Sequence, residues 1–119
     1  MKIILVDDET KFINMLARRL SLRGLDADVA YSGEQALEKA AQTRYDIAVL
    51  DMKMPGMSGL ALKNKLLKKL PDIKFIFVTG HGGVDKNGNS DLSEEIFLAK
   101  PLNIDTLIDT IQQQIHPHK

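Results

Sequence analysis

The sequence predicts a single α/β domain in which helices cover both faces of a parallel β-sheet. Short apolar segments typical of strands alternate along the chain with segments whose apolar residues recur at helical spacing. The apolar run 47–50 is continuous, which is typical of a strand buried on both faces of a parallel sheet. Alternating strands and helices, with strands buried on both faces, predict an α/β fold in which right-handed crossovers join parallel strands.

The composition limits the classes of function. The 119 residues suffice for one domain with its own core, and 44% of them are hydrophobic against 27% charged. The 16 Lys and Arg residues equal the 16 Asp and Glu residues, which argues against binding to nucleic acid or an anionic membrane through the overall charge. Cysteine is absent, so disulfides and thiolate metal sites are excluded. Without a signal peptide or an apolar stretch of membrane-spanning length, we expect a cytoplasmic protein.

The first 30 residues predict a strand, a helix and a second strand. Residues 2–6, a lysine followed by four apolar residues, are typical of a buried strand, and three acids follow them. The segment 9–23 has acids at its start and arginines at its end, as the helix dipole favours, and its apolar stripe is Phe12, Met15, Leu16 and Leu20. Ile13 lies off this stripe. Gly24 closes the helix, and residues 27–30 form a weak second strand.

The middle of the chain predicts two helices around the central strand. Ser32 and Gln35 have the spacing of a capping box, which opens a helix that runs to about residue 42. The third strand then ends on Asp51. Turn residues follow, and Ser58 caps a helix that runs to about residue 69.

The last third predicts two strands, at 74–78 and 96–99, and a final helix capped by Asn103. The connection between these strands departs from the alternation of strands and helices. Residues 80–95 contain four of the eight glycines and no amphipathic stripe. We therefore expect the fourth helix of the fold to be replaced or shortened by a loop there, with at most a short helical turn near 90–94.

Polar residues end four of the five predicted strands. They are Asp7 and Asp8, Asp51, Thr79, and Lys100. Because the carboxyl ends of parallel strands lie at one edge of the sheet, where open α/β sheets bind ligands, we expect these side chains to converge. Asp51, directly after the strand predicted to be buried on both faces, is the principal candidate for the chemistry.

The predicted cluster suits phosphoryl transfer with a magnesium ion. Three carboxylates in one pocket repel one another unless a cation compensates them, and an all-oxygen set without His or Cys favours Mg²⁺. In phosphoryl transfer a carboxylate attacks, a metal and a lysine neutralise the phosphoryl oxygens, and a hydroxyl donates a hydrogen bond. Asp51, Lys100 and Thr79 supply the three protein groups.

In this order the motifs resemble the receiver domain of two-component response regulators over essentially the whole chain. The motifs are Asp7-Asp8, Asp51 with Met54-Pro55-Gly56-Met57-x-Gly59, Thr79, and Lys100-Pro101. The resemblance implies one receiver domain over residues 1–119, stand-alone or excised. It also implies a doubly wound, flavodoxin-like sheet of five strands in the order 2-1-3-4-5.

The resemblance also implies roles for individual residues. Asp51 would accept the phosphoryl group, which Thr79 would bind and Lys100 would pair with. Mg²⁺ would be held by Asp7, Asp8, Asp51 and the backbone carbonyl of Lys53. Thr79 and Phe97 would form the switch, and the Lys100–Pro101 peptide bond would be cis.

The implied function is signalling in a phosphorelay rather than enzymatic turnover, although the domain would assist its own phosphorylation and dephosphorylation. The implied phosphodonor is a histidine kinase or a histidine phosphotransfer protein. A further protein partner, which the residues do not identify, would respond to the phosphorylated form, and a phosphorylation-dependent dimer is compatible with the family. No nucleic acid or membrane partner is implied.

Several alternatives stay open at this point. The acids after the first strand also suit a helix N-terminus. Ile13 is either an ordinary exposed apolar residue or part of the kinase-docking surface that the family places on the first helix. A pseudo-receiver, which binds partners without phosphorylation, would share the fold. An aspartate-dependent phosphatase is a weaker alternative, because Lys53 stands where that class has a second acid.

Overall fold

The computed structural model describes residues 1–80 and 95–115. Within these residues the strands are β1 (Ile3–Val6), β2 (Ala27–Ala30), β3 (Ile47–Asp51), β4 (Lys74–Thr79) and β5 (Phe97–Ala99). The helices are α1 (Thr10–Leu22), α2 (Gly33–Gln42), α3 (Gly59–Lys69) and α4 (Ile104–Ile115). The loop predicted for about 80–95 falls mainly on residues 81–94, which lie outside the described residues.

The five strands form one parallel sheet in the order β2-β1-β3-β4-β5. Val6 is paired with Leu50, and Leu50 is paired with Phe77, so β1, β3 and β4 end within two residues of one another. The predicted fold class and strand order are confirmed. Polar residues that follow these strands are therefore delivered to the same edge of the sheet.

Alternate strand residues face two separate apolar layers, because successive side chains of a strand point to opposite faces. The layer under α2 and α3 takes Ile4, Val6, Ala48, Leu50, Phe75 and Phe77. The layer under α1 and α4 takes Ile3, Leu5, Ile47, Val49, Ile76 and Val78. Both faces of the sheet are thus covered by helices. Among the helices in the described ranges, none combines the length and the apolar character that crossing a membrane requires.

The orientation of α1 differs from the prediction. Ile13 is 2% exposed and packs in the core, whereas Met15, which the predicted stripe included, is 41% exposed. The buried side chains of α1 are Ile13, Leu16 and Leu20, which follow the i, i+3, i+7 spacing of one helix face. Ile13 is therefore neither an exposed apolar residue nor part of a docking surface. Its place in the stripe was hidden because Phe12, Ile13 and Met15 are all apolar.

The predicted helix caps are present. Ser32 Oγ accepts a hydrogen bond from the Gln35 backbone N–H at 3.1 Å, and the Gln35 side chain accepts one from the Tyr31 N–H at 2.8 Å. Ser58 caps α3 through the Ala61 N–H at 3.1 Å. The bonds to Ser32 and Ser58 satisfy N–H groups that the first turn of a helix leaves without partners, whereas the Gln35 side chain bonds Tyr31, the residue before the cap.

Candidate functional site

Asp51 lies at the carboxyl end of the central strand β3, with its backbone tightly held. The Met52 N–H donates to the Val78 carbonyl at 3.0 Å, which continues the pairing of β3 with β4 past Asp51. Its side chain is only 7% exposed. One carboxylate oxygen accepts a hydrogen bond from the Lys53 N–H at 3.2 Å. The turn after β3 thus orients the carboxylate.

Asp7 and Asp8 bring two further carboxylates to Asp51. Asp7 follows β1 and is 1% exposed, while Asp8 is exposed. Each of the three residues offers a carboxylate oxygen, and these oxygens all lie within 4.8 Å of one another. Asp7 Oδ1 also accepts a hydrogen bond from the Glu9 N–H at 2.9 Å.

This donor set fits a magnesium ion. Every candidate ligand is a hard oxygen, and the three carboxylates lie close enough together to share one cation. Burial raises the pKa of Asp51 from its ordinary 3.8 to about 6, and the charge of Asp7 adds to this rise. The carboxylates therefore repel one another, and a bound cation would relieve that repulsion.

Thr79 and Lys100 border the same cleft from β4 and from the residue after β5. The Lys100 N–H donates to the Thr79 carbonyl at 2.8 Å, so the two backbones are in register. The cleft has a volume of about 440 Å³ and is lined by Asp8, Glu9, Asp51, Met52, Lys53, Thr79, Gly80 and Lys100. The Lys100–Pro101 peptide bond is cis.

The Lys100 ammonium forms two ion pairs. It lies 3.0 Å from Asp7 Oδ2 and 2.5 Å from Glu9 Oε1. It also lies 4.6 Å from the centre of the Phe12 ring, within the range of a cation–π contact. Burial lowers the pKa of Lys100, but the hydrogen bonds to Glu9 and Asp7, together with the negative charges of Asp7 and Asp51, outweigh that effect, so the pKa is raised overall.

The structure therefore brings together the residues predicted for the pocket: Asp7, Asp8, Asp51, Lys53, Thr79 and Lys100. Phe97 lies apart from them. It is half-buried and stacks on Phe77 with ring centres 5.6 Å apart. The sequence did not indicate that Glu9 and Phe12 contact Lys100. Glu9 was noticed only as a helix-start acid, and contact with a residue 91 positions away leaves no local pattern.

Comparison with known proteins places these features in a family. The family model described as "response regulator receiver domain" matches residues 3–112. Sporulation initiation phosphotransferase F of Bacillus subtilis is 30% identical over 115 residues, which cover 96% of this chain and 93% of that protein. The transcriptional regulatory protein YkoG of the same organism is 29% identical, but the match covers 49% of its length. This chain also spans 52% of the response regulator ArlR of Staphylococcus saprophyticus.

Solved structures agree with the sequence relatives. The response regulator TrrA of Thermotoga maritima, in complex with Mg²⁺-BeF, has a TM-score of 0.81 and 32% identity, covering 95% of this chain and 97% of that one. A CheY-like receiver domain protein of Methanospirillum hungatei has a TM-score of 0.83 and 26% identity, covering 96% and 92%. With its sheet order, its acidic pocket and these matches, the chain belongs to the response regulator receiver domain family of two-component signalling systems.

Proposed function

We propose that this receiver domain accepts a phosphoryl group on Asp51 from the phosphohistidine of a histidine kinase or of a phosphotransfer protein, with Mg²⁺ in the pocket. Receiver domains generally take phosphate from such donors and bind Mg²⁺. The observation that carries the proposal is the cluster of Asp7, Asp8 and Asp51, whose oxygens lie within 4.8 Å of one another in the cleft that Lys100 lines.

The chemistry begins at Asp51. A carboxylate oxygen attacks the phosphorus of the donor, the new O–P bond forms, and the N–P bond to the imidazole breaks. The imidazole nitrogen keeps the electron pair and takes a proton. Dephosphorylation is a separate hydrolysis, in which water attacks the phosphorus, the bond between the phosphorus and Asp51 breaks, and the free Asp51 carboxylate and inorganic phosphate are formed.

The neighbouring side chains hold the transferred group. The Lys100 ammonium pairs with a phosphoryl oxygen, and the Thr79 hydroxyl donates a hydrogen bond to another. Asp7, Asp8, Asp51 and the Lys53 carbonyl would hold Mg²⁺. When bound there, the ion supplies positive charge that offsets the charge on the phosphoryl oxygens.

The output is a change in partner binding. Thr79 ends β4, and Phe97 opens the neighbouring strand β5, where its ring packs on Phe77. Movement of Thr79 toward a phosphoryl group would shift the position of Phe97, because Thr79 and Phe97 lie on paired strands. We propose that this coupling alters the surface presented to a downstream protein or to a second copy of the chain, in the cytoplasm.

The test uses acetyl phosphate and Mg²⁺, with intact mass as the readout. Wild type is expected to gain the mass of one phosphoryl group, and to gain none in EDTA. The Asp51→Asn variant is expected to gain none. Asp72→Asn is the matched control, because its side chain is 89% exposed in a surface ion pair with Arg44, away from the cleft. It should behave as wild type.

The other outcomes identify the alternatives. No mass gain in wild type would contradict the proposal and favour a pseudo-receiver that acts by binding alone. Sustained turnover of small phosphate esters would favour an aspartate-dependent phosphatase.

A further inference from the structure

Glu9, the third acid after β1, contacts Lys100 but has no role in the proposed reaction. Glu9 Oε1 lies 2.5 Å from the Lys100 ammonium. Glu9 is absent from the group of carboxylates whose oxygens converge, which consists of Asp7, Asp8 and Asp51. It therefore contacts the lysine of the site without belonging to the cluster that would hold a cation.

This contact engages the Lys100 ammonium with acids other than the nucleophile. Among the described residues, the ion pairs of Lys100 are with Asp7 and Glu9, and none joins it to Asp51. The ammonium lies over the Phe12 ring, on the α1 side of the cleft. A phosphoryl group on Asp51 would be a further anionic partner for this ammonium, and it would compete with Asp7 and Glu9 for the position and the charge of the ammonium.

The two carboxylates differ in what a cation would do to them. Asp7 is a member of the cluster that would share a cation. A bound cation would therefore compete with Lys100 for the Asp7 carboxylate and weaken that ion pair. Glu9 has no such competitor. Its side chain is 63% exposed, against 2% for Asp7, so it can turn into solvent when Lys100 leaves.

We propose that Glu9 is a positioning residue that holds Lys100 in a resting position and competes with the phosphoryl group for its ammonium. The inference rests on the proposed function, since it presupposes phosphorylation of Asp51. Glu9 then sets part of the barrier to phosphorylation without touching the reacting atoms. Because the pair is partly exposed, its effect is modest, about two- to fivefold in rate.

The first test is the rate of phosphorylation by acetyl phosphate at saturating Mg²⁺. Glu9→Gln keeps the shape of the side chain and removes its charge, so it is expected to be phosphorylated about two- to fivefold faster than wild type. Glu38→Gln, the same change at an exposed position on α2, is the control and should match wild type.

A double-mutant cycle distinguishes an effect of the Glu9–Lys100 ion pair from a general electrostatic effect of the Glu9 charge on the pocket. If Glu9 acts through Lys100, Glu9→Gln should change the rate in wild type but not in a Lys100→Met background. Equal rates for wild type and Glu9→Gln would overturn the inference, and so would an acceleration that persists in Lys100→Met. If wild type itself takes up no phosphoryl group, the proposed function fails and the inference fails with it.

A second measurement does not depend on phosphorylation. In ¹⁵N NMR spectra without metal or phosphodonor, the Lys100 ammonium protons should exchange with water faster in Glu9→Gln than in wild type, because one hydrogen-bond partner is lost. An unchanged exchange rate would overturn the proposed resting contact even if phosphorylation proceeds normally.

Discussion

At the scale of single residues, the Asp51 carboxylate is nearly buried and lies beside another acid, so its charged form is destabilised. Asp51 is nearly buried, and the burial raises its pKa to about 6, with the charge of Asp7 as the next cause. The Lys53 N–H and Lys100 partly oppose this rise. A group that is costly to keep charged in the folded protein destabilises the fold, and such strain is typical of functional sites.

Without metal, the stability of the folded protein should depend on pH through Asp51. Between pH 3.8 and about 6, the folded protein holds a proton on Asp51 that the unfolded chain releases, so this group's contribution to stability falls as the pH rises through that range. Asp51→Asn removes the charge. It should raise the free energy of unfolding at pH 7 by about 1–3 kcal/mol, and the gain should shrink as the pH falls towards 4.

Urea denaturation in EDTA at several pH values measures this effect. Asp72→Asn, in which the exposed acid is neutralised, should give no comparable gain. A destabilised Asp51→Asn at pH 7, or a gain that does not depend on pH, would contradict the account of the charged pocket.

At the scale of elements, the edge strand β2 depends on a side-chain contact that the sequence did not indicate. The Tyr45 hydroxyl, just before β3, donates to Asp28 Oδ2 on β2 at 2.6 Å. Tyr45 is 2% exposed, and burial, with the Asp28 hydrogen bond as the next cause, raises its pKa to about 12. Because β1 lies between β2 and β3, the contact links the edge strand to the segment before β3 and stabilises the edge of the sheet.

Tyr45→Phe should therefore lower the free energy of unfolding by about 1–2 kcal/mol, because a half-buried carboxylate loses its donor. Tyr31→Phe is the matched control. The Tyr31 hydroxyl donates to Asn14 in an exposed position, so its loss should cost less than about 0.5 kcal/mol. Equal losses in the two variants, measured by urea denaturation, would show that the buried pair has no special role.

The start of α3 is fitted closely to the end of β3. A Cβ atom on Gly59 would lie 2.6 Å from the Asp51 carbonyl oxygen, with backbone atoms as its nearest neighbours. Because backbone cannot move aside as a flexible side chain does, Gly59→Ala should displace the turn that orients Asp51. We expect a loss of about 1–3 kcal/mol in stability together with slower phosphorylation.

Gly24→Ala provides the contrast. Gly24 has a positive φ of 82° but nothing within 4 Å of its Cβ position, and it lies at the end of α1. This variant should lose about 1 kcal/mol of stability through backbone strain and keep its phosphorylation rate. Normal phosphorylation of Gly59→Ala would contradict the proposed fit between α3 and the site.

At the scale of the whole molecule, the fold and the members of the pocket were predictable because each carries a local pattern. Continuous apolar runs marked the strands, capping residues marked the helices, and strand ends marked Asp7, Asp51, Thr79 and Lys100. The sheet then brings them together whatever their separation along the chain. The strand order followed from the resemblance to the family.

The contacts that escaped prediction are those decided by tertiary packing. Three apolar residues near the start of α1 left its rotation ambiguous, so Ile13 and Met15 were assigned to the wrong environments. The pairing of Glu9 with Lys100 and of Tyr45 with Asp28 joins side chains that are distant in sequence. No periodicity or motif marks such a pair.

If Asp51 is the residue that carries the phosphoryl group, chemical trapping should locate the group at that position. After incubation with acetyl phosphate and Mg²⁺, borohydride reduction converts an aspartyl phosphate to homoserine, which peptide sequencing by mass spectrometry can locate. We predict homoserine at position 51 and at no other acid. Homoserine at Asp7 or Asp8, or none anywhere in the chain, would rule out Asp51 as the phosphoryl acceptor.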